Sequence, residues 1–260
     1  MELEHRLHET ERLAARAAKI ALGHFQNLSS LAVTVKRPQD LVSAADLEVE
    51  QYLRAQLALE FPGEAILGEE MGGDLPGRGW VIDPIDGTAN FVSGSPLWGI
   101  SIAYVEGDES LVGVVAYPAL GYTLSAGKGY GLRKNGIHAK RLAQWAGLKV
   151  AAIGENLHWR PEHIGALELQ FRQAGWGVAG YRCATIGLGF AALGCTSGYV
   201  ERYTSLWDVA AGRLLCSEAG LAISTQGLAV PAGLTIVAGT QELCDLAHPV
   251  LSACLTSLSE

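Results

Sequence analysis

The sequence predicts an α/β fold with mixed sheets, and three observations support this. Apolar and small residues from Leu3 to Phe25 recur on one face of a helix at the N-terminus. Three strand-like segments then follow one another between residues 98 and 126, as in an antiparallel meander. From Val150 onward, strand and helix patterns alternate, which is typical of α/β proteins.

The composition indicates a compact globular protein. Of the 260 residues, 49% are hydrophobic and 18% are charged, so the chain can bury a core in one large domain or in two packed halves. The net charge of −8 argues against a nucleic-acid-binding surface. It does not exclude an anionic substrate, because bound cations reverse the sign of the local field.

The sequence also carries signals about location. The N-terminal stretch M-E-L-E-H-R-L-H-E-T has too many charges for a signal peptide, and no apolar run reaches transmembrane length. The five cysteines are widely spaced and include no C-x-x-C pair. This pattern is typical of free thiols in a reducing compartment and offers no cysteine-based zinc site. We therefore expect a cytoplasmic protein without a membrane partner.

The first part of the chain contains helices and short strands before a glycine-rich loop over residues 71–79. The N-terminal helix is expected to end near Asn27, where the apolar periodicity stops. A second helix, after D-L-V-S-A-A-D, would turn Val49, Leu53 and Leu57 inward. The strands predicted on either side of it are Leu31–Arg37, ending at Pro38, and Ala65–Leu67.

The stretch W-V-I-D-P-I-D-G-T-A-N, from Trp80 to Asn90, is the centre of the sequence. Its first three residues predict the end of a buried strand, because Pro84 cannot donate a hydrogen bond to continue a sheet ladder. Asp83 and Asp86 thus lie at a strand end, and Gly87 permits a sharp turn into a short helix. Carboxylates suit Mg²⁺, and the free N–H groups of a helix N-terminus suit a phosphate. A bare D-P-x-D-G also occurs as an ordinary acidic turn, so the motif needs support from elsewhere.

The remaining elements follow from alternation and helical periodicity. Turn glycines between residues 128 and 135 predict a hairpin, and a shift in composition over residues 139–148 predicts a boundary between two halves. Predicted strands are Trp98–Glu106, Leu111–Tyr117, Tyr122–Ala126, Val150–Ile153, Trp176–Tyr181, Tyr199–Arg202 and Leu234–Ala238. Predicted helices are Thr88–Val92, Pro161–Ala174, Ala184–Leu193, Leu206–Ala219 and Gln241–Leu258.

Five carboxylates stand out along the chain: Asp46, Glu69, Asp83, Asp86 and Asp208. If they converge, repulsion and lost hydration cost several kcal/mol unless cations compensate or the groups take up protons. Bound Mg²⁺ would remove that cost and bring phosphoryl-transfer chemistry, in which metal ions activate a water molecule and stabilise the attacking and leaving oxygens. Taken singly, Asp46 and Asp208 also fit first-turn helix acids, and Glu69 fits a solvated loop.

The motifs together resemble those of the inositol monophosphatase family. The run D-P-I-D-G-T-A-N-F-V, the G-E-E at Gly68–Glu70 and the W-D-V-A-A-G at Trp207–Gly212 match in order and in rough separation. The resemblance implies a Mg²⁺-dependent, lithium-sensitive phosphomonoesterase that forms a homodimer. It also implies an α/β layered sandwich of αβαβα architecture, in which an N-terminal half (residues 1–145) and a C-terminal half (residues 146–260) stack around the site.

The resemblance assigns metal ligands residue by residue. Glu69, Asp83 and the main-chain carbonyl of Ile85 would hold a first Mg²⁺ ion. Asp83, Asp86 and Asp208 would hold a second, and Glu69 would assist a third, weaker ion. Asp86 would also face the substrate.

The resemblance likewise assigns residues to the reaction and to the substrate. The Thr88 hydroxyl, oriented by Asp46, would position the attacking water, and Glu69 would complete this catalytic group. The backbone N–H groups of Gly87 and Thr88 would hold the phosphate. Glu201 matches a contact to a substrate hydroxyl, and Ala184 matches a substrate-lining position.

The natural alcohol stays open, because Arg182-Cys183 stands where a small Gly-Ser-like pair is usual in inositol phosphatases. Arg182 either binds a second anionic group or is a structural arginine. Myo-inositol 1-phosphate is the default substrate. Histidinol phosphate is the alternative, because S-G-S-P-L-W and S-L-W-D also resemble histidinol-phosphate phosphatases; fructose 1,6-bisphosphate and 3′-phosphoadenosine 5′-phosphate rank lower. A non-enzyme alternative is a catalytically idle relative that acts through a protein partner.

A competing motif lies at G-L-G-F-A-A, from Gly187 to Ala192, which formally fits the dinucleotide pattern G-x-G-x-x-A. Small residues that allow close helix packing explain it equally well. The sequence contains no P-loop motif and no G-x-S-x-G motif, which argues against a P-loop kinase and a serine hydrolase.

Overall fold

Helices and sheets stack in the order α–β–α–β–α. The computed structural model describes residues 2–37, 40–143, 147–227 and 233–256. A seven-stranded sheet and a five-stranded sheet lie one above the other, with helices between them and on both outer faces. The predicted layered sandwich is therefore confirmed.

The first sheet comes from the first half of the chain, after a separate antiparallel ribbon of β1 (Val33–Arg37) and β2 (Asp40–Ser43). The sequence patterns did not predict β2. The first two strands of the sheet are parallel and the others are antiparallel, which confirms the predicted meander. In spatial order the strands are β3 (Ile66–Gly68), β4 (Arg78–Asp86), β5 (Gly99–Glu106), β6 (Glu109–Tyr117), β7 (Tyr122–Gly127), β8 (Arg133–Lys134) and β9 (Ile137–His138).

The second sheet is mixed: its first two strand pairings are parallel and its last two are antiparallel. Its spatial order is β11 (Gly177–Ala179), β10 (Val150–Ile153), β12 (Gly198–Thr204), β14 (Leu234–Gly239) and β13 (Ala222–Gln226). The sequence did not predict β13, because this edge strand is mostly exposed and carries few large apolar residues. Its polar surface is what an edge strand requires to avoid pairing with other chains.

Seven helices complete the layers in the described residues. They are α1 (Glu2–Phe25), α2 (Ala44–Glu60), α3 (Thr88–Val92), α4 (Pro161–Gln173), α5 (Ala184–Leu193), α6 (Leu206–Glu218) and α7 (Gln241–Thr256). The predicted bounds of α3 and α5 agree with the structure, while the predicted end of α7 at Leu258 lies outside the described residues. Across those residues, none of the helices combines the length and apolarity needed to cross a bilayer.

Three hydrophobic cores hold the layers together. The outer core of the first sheet lies under α1 and α2 and contains Trp80 and Trp98. The central core lies between the sheets, where α5 and α6 bury Leu188 and Leu215 against both. The third core lies between the second sheet and the α4–α7 pair. Each fully buried side chain of the size of leucine contributes about 1.5–3 kcal/mol to folding.

A partly buried ion pair links α1 to the first sheet. Arg6 donates to both carboxylate oxygens of Glu64, at 2.6 and 2.7 Å, and its guanidinium lies 4.2 Å from the ring centre of Tyr104. The indole N–H of Trp80 donates to Glu64 at 2.7 Å. The charges of Arg6 and Glu64 and the indole N–H of Trp80 are thus paired with one another, which limits the cost of their burial.

The strand of the central motif is longer than predicted and contains a bulge. We expected the strand to end before Pro84, whereas β4 continues to Asp86. Asp83 lies opposite Ser101 and Asp86 opposite Gly99, so β4 holds one extra residue at this point and forms a bulge. The bulge accommodates Pro84, which needs no ladder partner there. It also breaks the alternation of faces, which allows two aspartates three residues apart to share one side.

The sheets divide the chain where the composition shifts. Strands up to His138 belong to the first sheet, and strands from Val150 belong to the second. The predicted boundary between residues 145 and 146 lies outside the described residues, and the division into two halves stays a prediction.

We expect Gly113→Ala to destabilise the fold by about 1–3 kcal/mol. A Cβ at Gly113, on β6, would lie 2.8 Å from the carbonyl oxygen and 3.0 Å from the Cα of Ala211, and the backbone of α6 cannot move away cheaply. Urea unfolding measures the loss. Gly165→Ala is the control, because this exposed position in α4 has nothing within 4 Å and a helical alanine stabilises it. Equal stabilities of the two variants would contradict the close packing of α6 on the sheet.

Candidate active site

The candidate site lies at the end of β4, where four helices begin. Asp83 and Asp86 come from the bulge of β4, and Asp208 comes from the first turn of α6. One carboxylate oxygen of each lies within 4.8 Å of the others. The first turns of α2, α3 and α5 carry Asp46, Thr88 and Ala184, and the following contacts link each of them to this group.

Asp83 is the most constrained carboxylate of the group. Only 1% of it is exposed, and no N–H or hydroxyl group of the described residues donates to either of its oxygens. Burial raises the pKa of Asp83 well above its usual value, and three neighbouring carboxylates raise it further. These neighbours are Glu69, Asp86 and Asp208.

Asp86 links the first sheet to the N-terminus of α5, which lies between the two sheets. Its Oδ2 accepts hydrogen bonds from the backbone N–H of Thr185 at 2.6 Å and from the thiol of Cys183 at 3.1 Å. The backbone N–H of Ala184 also donates to this carboxylate. Burial raises the pKa of Asp86, and these donors offset part of the rise because they stabilise the ionised form.

Asp46 and Asp208 are each held by a capping box at the start of a helix. Each is the third residue of a helix whose N-cap is a serine, and each accepts the N–H of that serine in a capping box. The distances are 2.8 Å from Ser43 to Asp46 and 2.9 Å from Ser205 to Asp208. In both cases Oδ2 accepts the hydrogen bond of the cap, and in Asp46 the other oxygen, Oδ1, lies near the hydroxyl of Thr88.

The environment of Asp208 raises its pKa to about 8, chiefly through burial and then through the charges of Asp86 and Glu201. Thr204 donates its hydroxyl to Asp208 at 2.9 Å and lowers the pKa in part. Burial also raises the pKa of Asp46, against the hydrogen bonds from Ser43. Carboxyl groups that resist ionisation in this way indicate a site built for positive charge.

Thr88 links Asp46 to the main chain of the central motif. Its hydroxyl lies 3.2 Å from Oδ1 of Asp46 and 3.0 Å from the carbonyl oxygen of Ile85. A single hydroxyl proton has these two acceptors in reach. Gly87, directly before Thr88, has a φ of 87°, and its Cα packs against Cys183 so closely that a Cβ would lie 3.1 Å from that side chain. Glycine is therefore required here for both backbone and space.

Glu201 lies on β12, on the side of the second sheet, and is buried. Its carboxylate accepts the hydroxyl of Tyr199 at 2.6 Å and the amide of Asn156 at 3.1 Å. Burial raises the pKa of Glu201, and these donors lower it in part. Because its charge also raises the pKa of Asp208, Glu201 belongs to the same electrostatic cluster.

The oxygen atoms that converge at this site fit a hard divalent cation as ligands. Carboxylate oxygens and a main-chain carbonyl are the ligands that Mg²⁺ prefers. The two buried oxygens of Asp83 lack any donor in the described residues, and a cation would satisfy them. The carboxylates of Asp86 and Asp208, which converge with Asp83, and the carboxylate of Glu69 complete the set of candidate ligands.

Comparison with known proteins agrees with this chemistry. The sequence pattern of the inositol monophosphatase family matches residues 2–255. The chain belongs to the inositol monophosphatase family. An inositol-1-monophosphatase of Mesorhizobium japonicum is 34% identical over 214 residues, which cover 80% of each chain.

Two further proteins are similar to this chain. An uncharacterised protein of Sinorhizobium fredii is 39% identical over 221 residues, which cover 84% of this chain and 79% of the relative. The solved structure of the extragenic suppressor protein SuhB from Bartonella henselae has a TM-score of 0.82 and 26% identity, over 92% of this chain and 95% of the other. The sequence and the fold thus support the same family over nearly the whole chain.

Sequence reasoning missed the groups that hold the site carboxylates. The segments S-A-A-D and S-L-W-D are both capping boxes, and that signal was readable in the sequence. No local signal identified Cys183 and Thr185 as partners of Asp86, since they lie 97 and 99 residues away from it.

The dinucleotide pattern is explained by packing. Its glycines lie inside α5 rather than in a turn between a strand and a helix. A Cβ on Gly187 would overlap the ring of Tyr199, and a Cβ on Gly189 would overlap the hydroxyl of Tyr117.

We expect Asp83→Asn to weaken the pH dependence of stability. The site carboxyl groups have a higher pKa in the folded protein than the value of about 4 in an unfolded chain. Their contribution to stability is therefore present in full below about pH 4 and is lost as the pH rises towards about 8. Replacing Asp83 by Asn takes one charge out of the cluster, so the protein loses less stability as the pH rises.

Urea unfolding in EDTA, from about pH 5 to about pH 8.5, measures this. At the upper end, Asp83→Asn should exceed the wild type in free energy of unfolding by about 1–3 kcal/mol. Asp245→Asn is the control, because it makes the same chemical change on the exposed side of α7. Parallel pH profiles for Asp83→Asn and the wild type would contradict the electrostatic account.

Proposed function

We propose that this protein is a Mg²⁺-dependent phosphomonoesterase that hydrolyses a small polyol phosphate, with myo-inositol 1-phosphate as the default substrate. The observation that carries the proposal is the convergence of Asp83, Asp86 and Asp208 around buried oxygens that no described donor satisfies. Membership of the inositol monophosphatase family supports the same reaction. The name of the Mesorhizobium relative supports the choice of alcohol.

The proposed ligands fall into two groups that share Asp83. Glu69, Asp83 and the carbonyl of Ile85 would hold one Mg²⁺ ion, and Asp83, Asp86 and Asp208 would hold another. A third, weaker ion near Glu69 is part of the proposal. When bound, Mg²⁺ supplies the positive charge that favours ionisation of a water molecule and stabilises the oxygens of the phosphate in the transition state.

The protein's own groups would orient the reactants. If the Thr88 hydroxyl donates its hydrogen bond to Asp46 or to the carbonyl of Ile85, the lone pairs of its Oγ1 face outward and would accept a hydrogen bond from the attacking water, which orients it. The N–H groups of Gly87 and Thr88 begin α3 and would hold the phosphate. Glu201 is held by its own donors and would accept a hydroxyl of the alcohol, beside Ala184.

A specific observation favours esters with a second negative group as alternative substrates. Arg182 is exposed directly before Cys183 and has a φ of 55°, a backbone conformation that costs a non-glycine residue about 1 kcal/mol. An exposed cation beside the start of α5 suits the second negative group of fructose 1,6-bisphosphate or 3′-phosphoadenosine 5′-phosphate. Histidinol phosphate is the other alternative. We also propose that the protein acts as a homodimer.

Phosphate release from these four esters, with and without Mg²⁺, tests the proposal. We expect turnover that requires Mg²⁺, is inhibited by Li⁺ and favours one ester. Asp86→Asn should lower kcat by about 100-fold or more, because even groups that only support a metal ligand are worth 10–100-fold. Asp245→Asn should retain the wild-type rate. Wild-type turnover by Asp86→Asn would refute the proposed ligand set, and a folded protein inactive on every ester would favour the non-enzyme alternative.

A further inference from the structure

A buried carboxylate outside the proposed ligand set lies one helical turn beyond Asp46 on α2. Glu50 is 0% exposed, and three groups donate to its oxygens. They are the Nε of Arg54 at 2.8 Å, the backbone N–H of Glu70 at 2.8 Å and the backbone N–H of Met71 at 3.0 Å. Two of these donors come from the segment that directly follows Glu69.

Arg54 continues the same contact from the next turn of α2. Its guanidinium donates to the carbonyl oxygens of Ile66, at 3.4 Å, and of Gly72. The N–H of Gly68 also donates to the carbonyl of Gly72, at 3.0 Å, and closes the segment into a tight loop. The Glu50–Arg54 pair therefore binds the main chain on both sides of Glu69.

Gly68 gives an independent sign that the segment is built around this pair. A Cβ on Gly68 would overlap Oε1 of Glu50 and would lie 2.9 Å from the guanidinium of Arg54. The φ of Gly68 is not positive, so the backbone does not demand a glycine. The first residue of the G-E-E motif is thus small because the ion pair occupies the space beside it.

These contacts fix Glu69 between two anchors. Its own N–H donates to the carbonyl of Ile82 at 3.3 Å, next to Asp83, and the N–H of Glu70 donates to Glu50. We propose that Glu50 and Arg54 are positioning residues: they hold the Glu69 segment against β4 and so set the affinity of the site for Mg²⁺. The inference rests on the proposed function, because it takes Glu69 and Asp83 as metal ligands.

A structural role alone would make a different prediction. The Arg6–Glu64 pair is likewise a partly buried ion pair that binds a segment next to β3, but it lies at the opposite end of that strand from Glu69. If ion pairs here only stabilise the fold, Glu50→Gln and Glu64→Gln should affect Mg²⁺ binding alike. If Glu50 positions Glu69, only Glu50→Gln should weaken it.

The experiment is calorimetric titration of the full-length protein with Mg²⁺ alone, at one fixed pH. We expect Glu50→Gln to raise the Kd for Mg²⁺ by about 10–100-fold, as for other groups that support a metal ligand. The reason is that a glutamine places an N–H₂ group against one of the two backbone N–H donors. Arg54→Lys, which keeps the charge but loses the fork that spans two carbonyls, should raise it by about 10-fold. Glu64→Gln should leave it unchanged.

Two further readouts separate positioning from folding. Hydrogen exchange of a peptide over residues 66–74 should be faster in Glu50→Gln and unchanged in Glu64→Gln. Saturating Mg²⁺ should restore most of kcat in Glu50→Gln, because the ligand is displaced rather than absent.

The outcomes distinguish the inference from the proposed function. Loss of Mg²⁺ binding in Asp83→Asn together with wild-type binding in Glu50→Gln and Arg54→Lys would overturn the inference alone. An equal loss in Glu64→Gln would also overturn it, in favour of a purely structural role. Wild-type Mg²⁺ binding by Asp83→Asn would overturn the proposed ligand set and the inference together.

Discussion

The burial of Asp83 among other carboxylates is the constraint on which the rest of this structure depends. Its two oxygens have no donor in the described residues, and the neighbouring Asp86 and Asp208 approach within 4.8 Å. Such an arrangement opposes folding, since like charges in a poorly hydrated site repel each other. The sheets and helix N-termini must therefore hold the group together at a cost that a cation would offset.

Backbone hydrogen bonds hold the other carboxylates of the site in place. One oxygen of Asp46, of Asp86 and of Asp208 accepts hydrogen bonds from backbone N–H groups at the start of a helix. Each of these carboxylates is thus held in place by backbone groups rather than by another charged side chain. A carboxylate fixed in this way loses little conformational freedom when it binds a ligand, which is the benefit of preorganisation.

The layered fold explains why these helix ends meet. The α5 and α6 helices lie between the sheets and begin at the edge where β4 ends, so Asp86 of the first sheet meets the N-terminus of α5. On the outer face, α2 brings Asp46 to Thr88 and Glu50 to the segment after Glu69. The α2 helix, both sheets and the helices between them thus contribute residues to the same site, and family membership over residues 2–255 fits this shared construction.

The sequence by itself determined the fold class, most helices and strands, and the motifs that indicate the family, because these depend on local periodicity and on short runs such as D-P-I-D-G-T. It failed for β2 and β13, whose short or exposed strands carry little hydrophobic pattern. Only the tertiary structure decided that β4 bulges at Pro84, that Asp86 is held by Cys183 and Thr185, and that Glu50 binds the Glu69 segment. These are contacts between residues about 20 to 100 positions apart, and their geometry is set by packing of the layers, which no local pattern records.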